Sequence, residues 1–181
     1  RPIDMHIKCF ELMGATVDTS RGIVAAKAEK LDHIRICPET MGKINQLGTL
    51  EEVIALCELD ERLIPCIDFG HLNARTLGEV NSREAFKSII DEIGNRLGEY
   101  RQKHFHSHFS KIEYTKGGEK KHLTFEDEVY GPEFEPLAVA LKDLQLYPYI
   151  VSESAGTQAE DAKYMLISCS AFVNYLIEKY Q

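Results

Sequence analysis

Four short apolar runs in this chain each lead to side chains able to bind a metal ion. Ile34 to Cys37 leads to Glu39, and Ile64 to Ile67 leads to Asp68 with His71 just beyond; Phe105 to Phe109 carries His106 and His108, and Tyr149 to Ser152 leads to Glu153. In parallel α/β folds, ligands and catalytic groups gather at the carboxyl ends of the strands. A carboxylate placed there is costly to bury unless it is paired or bound to a cation. One such residue alone is more often a helix cap or an ion-pair partner. Oxygen and nitrogen donors after all four runs together predict a divalent metal site. His104, His106 and His108 alternate, so a strand places them on one face at different depths and they cannot share one role. His104 is assigned a structural place, and spacing alone leaves His106 and His108 both open as ligands.

The elements that must position these residues follow from periodicity. Apolar residues returning at steps of three and four mark four helices. They run through Met5, Cys9, Leu12 and Met13; Leu50, Val53, Ile54 and Cys57 after a capping Thr49; Phe86, Ile89, Ile90, Ile93 and Leu97 after Ser82; and Ala162, Met165, Leu166, Cys169, Val173 and Leu176. A shorter helix is expected from Glu135 to Lys142, with Pro136 in its first turn where a missing N–H costs little. Helices and apolar runs alternate, which predicts parallel strands with right-handed crossovers, in a doubly wound sheet or a (β/α) barrel. Two segments break the alternation. Gly14 to Gly22 is too short and polar to be read as a strand, and Ile112 to Phe125 is an insertion whose Lys116-Gly117-Gly118-Glu119 turn predicts a small hairpin. His122 on that insertion follows the His106 run closely enough for the loop to fold back over the strand ends.

At 181 residues, 44% hydrophobic and 28% charged, the chain suits a single α/β domain over residues 1–181. Its net charge of −8 excludes an overall basic field for nucleic acid, so a phosphate partner has to be held locally. No apolar run approaches the roughly 18 residues that cross a bilayer, and no export signal is visible, so a cytoplasmic protein without a membrane partner is expected. Cys9, Cys37, Cys57, Cys66 and Cys169 are never spaced C-x-x-C, which predicts buried thiols rather than disulfides or a zinc ribbon. The phosphate-cradling glycine loops and the nucleophile elbow have no match in the sequence.

The segments PETMGKINQLGTLEEV, CIDFGHLNART, HFHSHFSK, KKHL and the SES of YIVSES lie between Cys37 and Glu153. In order and spacing they resemble the second half of the endonuclease IV family of apurinic/apyrimidinic endonucleases, within the xylose-isomerase-like (β/α)8 TIM barrels. The resemblance implies an incomplete barrel of about the last four to five βα units. Closing it would take a missing N-terminal half, a second copy of the chain in a homo-oligomer, or a rearranged closure. It also implies two or three zinc ions (Zn2+) cleaving DNA at abasic sites. Carried onto this chain, Glu39 bridges two metals, Asp68, His106 and Glu153 complete one of them, and His71 and His122 belong to the third. His106 is preferred by its register to Ser110 and Lys111, with His108 the alternative ligand. Lys120 stands where the family has an aspartate two residues before the loop histidine, so Lys120 is expected to contact phosphate, as is Lys111. The histidines of the family's earlier strands have no counterpart here.

Three functions follow as expectations. The leading one is metal-dependent phosphodiester hydrolysis, with Glu39 or Glu153 as the catalytic carboxylate that positions the attacking water. The second is a sugar isomerase or epimerase with a single Mn2+ or Mg2+, in which Glu39 and Glu153 exchange a proton beside a carbonyl of a small sugar. The third is an inactive half-barrel that survives by self-association.

Overall fold

The computed structural model describes residues 7, 11, 14–20, 25–27 and 36–180, with 171–180 described as helix backbone alone. Met5, Cys9, Leu12 and Met13 of the first expected helix, and Ile34 and Arg35 of the run Ile34 to Cys37, lie outside the described residues. The chain divides into two compact units, Arg1–Ile36 and Cys37–Gln181, where composition predicts one domain. In the first unit β1 (Thr16–Asp18) pairs antiparallel with β2 (Ala25–Lys27), Val17 opposite Ala26. The polar Gly14 to Gly22 segment therefore does hold a strand.

The second unit runs α1 (Leu50–Glu58), β3 (Cys66–Asp68), α2 (Phe69–Arg75), α3 (Arg83–Leu97), α4 (Glu99–His104), β4 (His106–Phe109), β5 (Ile112–Thr115), β6 (Gly118–His122), α5 (Phe134–Asp143), β7 (Tyr149–Ser152) and α6 (Gln158–Tyr180). Helix α1 opens on a capping box in which the Thr49 hydroxyl accepts from the Glu52 N–H and the Glu52 carboxylate accepts from the Thr49 N–H. Helix α3 opens on Ser82, whose hydroxyl accepts from the Ala85 N–H, and buries Phe86, Ile89, Ile90, Ile93 and Leu97 as one helical face. These residues meet Phe69, Phe105, Phe109, Phe134 and Leu137 in one core. Phe69 packs edge-on against Phe86 with ring centroids 5.2 Å apart, and Phe109 against Phe134 at 5.1 Å. Each such buried side chain stabilises the fold by roughly 1.5–3 kcal/mol relative to exposure. That core backs the sheet and holds the strand ends in place.

Strands β3, β4 and β7 form a parallel sheet in that order, and β5 and β6 form a separate antiparallel hairpin. This corrects the expected TIM barrel. Among the described residues there is no (β/α)8 barrel of the xylose-isomerase type, nor an arc of four to five βα units, but a small α/β unit on a three-stranded parallel sheet. Alternation of helix and strand dictates parallel pairing and the hand of the crossovers, whereas strand number and closure depend on ladders that alternation does not specify. Beyond β3 the described pairing is a single parallel bridge between Glu39 and Cys66.

Cys57 and Cys66 are buried free thiols, and Cys37 and Cys169 are half-buried. Burial pushes the Cys57 thiol up to about 11. Among the described residues no helix is long and apolar enough to cross a membrane.

Candidate metal centre

The carboxyl edge of the sheet is assembled by backbone pairing. Residues 38–40 lie along β3: the Cys66 N–H donates to the Pro38 carbonyl at 2.8 Å and the Thr40 N–H donates to the Cys66 carbonyl at 3.1 Å. Parallel register sets Asp68 beside His108, and His108 beside Val151. Just past β7, the Glu153 N–H donates to the Phe109 carbonyl at 3.1 Å. Glu39, Asp68, His108 and Glu153 thereby each offer a ligand atom within 4.8 Å of the others. The His108 Nδ1 is 2.9 Å from Glu39 Oε1, 3.2 Å from Glu153 Oε1 and 4.0 Å from Asp68 Oδ2.

Asp68 is the deepest of the four, with 0% exposure. Strand β3 runs directly into α2, and Asp68 is the N-cap: its Oδ1 accepts from the His71 N–H at 2.7 Å. The buried Thr40 hydroxyl accepts from the Asp68 N–H at 2.9 Å and donates to the Asp68 carbonyl at 3.3 Å. The other carboxylate oxygen, Oδ2, is buried without a hydrogen bond. His71 Nδ1 lies 3.3 Å from it at ion-pair distance, but that nitrogen is hydrogen-bonded to the Thr40 carbonyl at 2.9 Å. A buried oxygen left without a hydrogen bond is costly. A cation among Glu39, Asp68, His108 and Glu153 would satisfy it, and this oxygen-rich set with one imidazole suits zinc, manganese or magnesium.

The charges lean the same way. Burial pushes the Asp68 carboxyl up, His71 opposes, and the neighbouring Glu153 and Glu39 add to the rise. Burial also acts to raise Glu39, but the hydrogen bond from His108 and the charges of His108, His71 and His122 outweigh it and hold Glu39 below its ordinary value. Hydrogen bonds with Cys66 and then Glu39 lead in pushing His108 up to about 11 against its burial. The cluster attracts positive charge, as a proton on His108 or as a metal ion.

A second set, His71, His122 and Glu153, also brings its ligand atoms within 4.8 Å of one another and shares Glu153 with the first. The two rings lie 5.4 Å apart. Each ring has one nitrogen tied to a protein oxygen, His71 Nδ1 to the Thr40 carbonyl at 2.9 Å and His122 Nδ1 to Ser110 Oγ at 2.8 Å. That is how outer partners orient metal-binding imidazoles, with the second nitrogen left for the ion.

The structure separates His106 from this cluster. Its ring stacks on Tyr149 with centroids 5.9 Å apart, one step lower along β4 beside Cys66, and His108 occupies the place among the carboxylates. His104 ends α4, stacked on Tyr100. Lys111 is buried and its ammonium is engaged by the Asp127 carbonyl at 2.6 Å and Glu133 at 2.8 Å. Lys120 is exposed and pairs with Glu113 at 2.5 Å. Sequence reasoning passed over Thr40, Ser110, Cys66, Arg75 and Glu119. Cys66 forms a further ligand group with Glu39 and His108. Arg75 donates to the carbonyls of Met41, Lys43, Ile44 and Gln46, holding the loop after Glu39. Hydroxyls and an arginine in a helix carry no positional signature, and the facing of Glu119 depends on a register shift in its hairpin, so only Cys66, two residues before Asp68 and hence on its face, was open to inference.

Fold and site together define a small α/β unit with two adjoining ligand sets at the carboxyl edge of a parallel sheet. No family model matches the chain. It is 36% identical over 129 residues to an uncharacterized protein of Methanocaldococcus jannaschii, a match covering 71% of this chain and 46% of that protein. The chain thus spans less than half the length of this curated relative. A stretch that long cannot fit within Arg1–Ile36, so most of the likeness falls in the unit that holds the site. The chain is also 64% identical over 31 residues, 17% of its length and 7% of the other, to UDP-N-acetylglucosamine 1-carboxyvinyltransferase 2 of Clostridium acetobutylicum.

Proposed function

We propose that the site hydrolyses phosphodiesters with divalent cations, zinc first, and that its substrate is DNA at abasic sites, as the resemblance to endonuclease IV implies. The observation that carries this reading is the pair of ligand sets joined through Glu153, the arrangement suited to holding two cations against one phosphate. When bound, the cations supply Lewis acidity, activating water and offsetting charge on the phosphate. Glu39, Asp68, His108 and Glu153 would hold one ion, and His71, His122 and Glu153 would hold the other. The Glu39 and Glu153 side chains are 32% and 33% exposed, so they alone of the first set's carboxylates reach solvent, where they orient the attacking water and accept its proton. Thr40 and Ser110 lock the imidazole planes. Of the two lysines expected to contact phosphate, Lys111 is buried in its ion pair, and Lys120 is exposed but would have to leave Glu113 to meet a phosphate.

The test reloads metal-free protein with zinc or manganese, counts ions per chain, and offers duplex DNA carrying one abasic site. Two or more zinc ions with incision of the strand support the reading; a metal-replete protein that leaves the DNA whole overturns it. A second reading, a sugar isomerase or epimerase, draws on the set Glu39, Asp68, His108 and Glu153 and on the net charge of −8, which disfavours duplex DNA. One manganese per chain with turnover of a ketose and no incision selects that reading. Absence of bound metal overturns both.

A further inference from the structure

The β5–β6 hairpin carries a carboxylate that neither ligand set includes. Its register slips: Glu113 faces Lys121 but Tyr114 faces Glu119, so Lys120 is an extra residue in β6. Side chains along a strand alternate between faces, and residues three apart ordinarily point to opposite sides. The bulge absorbs one residue and returns Glu119 and His122 to the same side. Glu119 Oε2 lies 3.6 Å from His71 Nε2, and Glu119 Oε1 lies 3.9 Å from His122 Nε2. The side chain is 15% exposed.

The backbone around it permits that approach. The Glu119 N–H donates to the Gly42 carbonyl at 3.0 Å, and the Ile44 N–H donates to the Gly117 carbonyl at 3.2 Å. A Cβ on Gly42 would stand 2.6 Å from Glu119 Cβ and 3.1 Å from His71 Cδ2. A Cβ on Gly118, where φ is +86°, would stand 2.2 Å from the Gly42 carbonyl oxygen. Both positions need glycine for the hairpin tip to seat on the loop after Glu39. The adjacent lysines do not neutralise Glu119, because Lys120 and Lys121 pair with Glu113 at 2.5 and 3.3 Å.

The imidazole facing Glu119 matters most. His71 Nδ1 is hydrogen-bonded to the Thr40 carbonyl, which leaves Nε2 as the ring nitrogen that faces Glu119. Nε2 and the Glu119 carboxylate oxygen stand 3.6 Å apart, too far for a hydrogen bond between them. Two ligands of one tetrahedral zinc ion stand about 3.3 Å apart, close to this spacing.

We propose that Glu119 is a ligand of the second cation, joining His71, His122 and Glu153, and that the bulge at Lys120 delivers it. The proposal rests on the two-cation reading above. The test titrates zinc into metal-free wild type, Glu119→Gln and Glu119→Asp, with elemental counts per chain and circular dichroism as the check on folding. Wild type is expected to bind two ions. Glu119→Gln is expected to keep one and to bind the other at least about 10-fold more weakly. Glu119→Asp, which keeps the charge but shortens the reach, is expected to weaken the same ion less. Two ions in wild type with unchanged affinities in Glu119→Gln overturn the proposal and leave the two-cation reading in place. If Glu119→Gln does not fold, unchanged affinities in Glu119→Asp overturn it instead. One ion or none in wild type overturns the two-cation reading itself and the proposal with it.

Discussion

Arg96 on α3 and Asp68 at the end of β3 are both charged groups with several partners, yet their charges are met in opposite ways. Arg96 lies on an open flank with Glu51 at 2.5 Å, Glu58 at 2.9 Å and Glu92 at 3.7 Å, all at least two-fifths exposed. There protein groups balance one another and water screens what remains. At the strand ends the ion-pair partners of Glu39, Asp68 and Glu153 among the described residues are histidines, and one oxygen of the most buried carboxylate has no hydrogen bond. A structural ion-pair network resembles the flank. The strand ends instead concentrate acid under burial, an excess that a cation would balance.

The sharpest way to break this comparison is Asp68→Asn. Asparagine still caps α2 and removes the buried charge, so the first ion should be lost, with affinity down by more than about 100-fold, beyond the range for outer partners. Metal-free stability should meanwhile rise by about 1–3 kcal/mol. Zinc titration and denaturant melts read both, and a variant that binds zinc normally while melting earlier would make Asp68 a cap and nothing more. Next comes the pair His108→Ala and His106→Ala. The first should weaken the same ion by about 10- to 100-fold, whereas the second should leave it within about twofold; equal effects would erase the distinction between the two rings. Gly118→Ala should cost about 1–3 kcal/mol through the left-handed backbone and the close carbonyl, and should weaken the second ion more than the first. Smallest of all is Arg96→Ala, which should leave ion counts and affinities unchanged; a lost ion there would mean that the flank and the strand ends are not independent.

Local signals in the sequence located much of this structure. Thr49 and Ser82 start the helices that they were expected to start, and Tyr149 to Ser152 is the strand that its apolar pattern predicts. Glu39, Asp68 and Glu153 are brought together at the carboxyl edge of the β3–β4–β7 sheet, with His71 just beyond on α2, while His122 comes to the same place from the separate β5–β6 hairpin. The barrel was not legible, since four alternating units are compatible with an arc of a barrel and with a short open sheet alike. His106 and His108 were not separable either. Both lie on one face of β4, and only the register against β3 and β7 sets which reaches the carboxylates.

The sequence by itself determined which residues are chemically able to bind a cation, which helices flank most of them, and that β3, β4 and β7 run parallel, because periodicity and capping act over a few neighbouring residues. Tertiary structure alone decided that His108 rather than His106 joins the cluster, that Lys111 is drawn away into an ion pair, and that a bulge turns Glu119 toward His71 and His122. Those outcomes depend on the depth and register of strands far apart in the chain, where a shift of one residue exchanges the two faces.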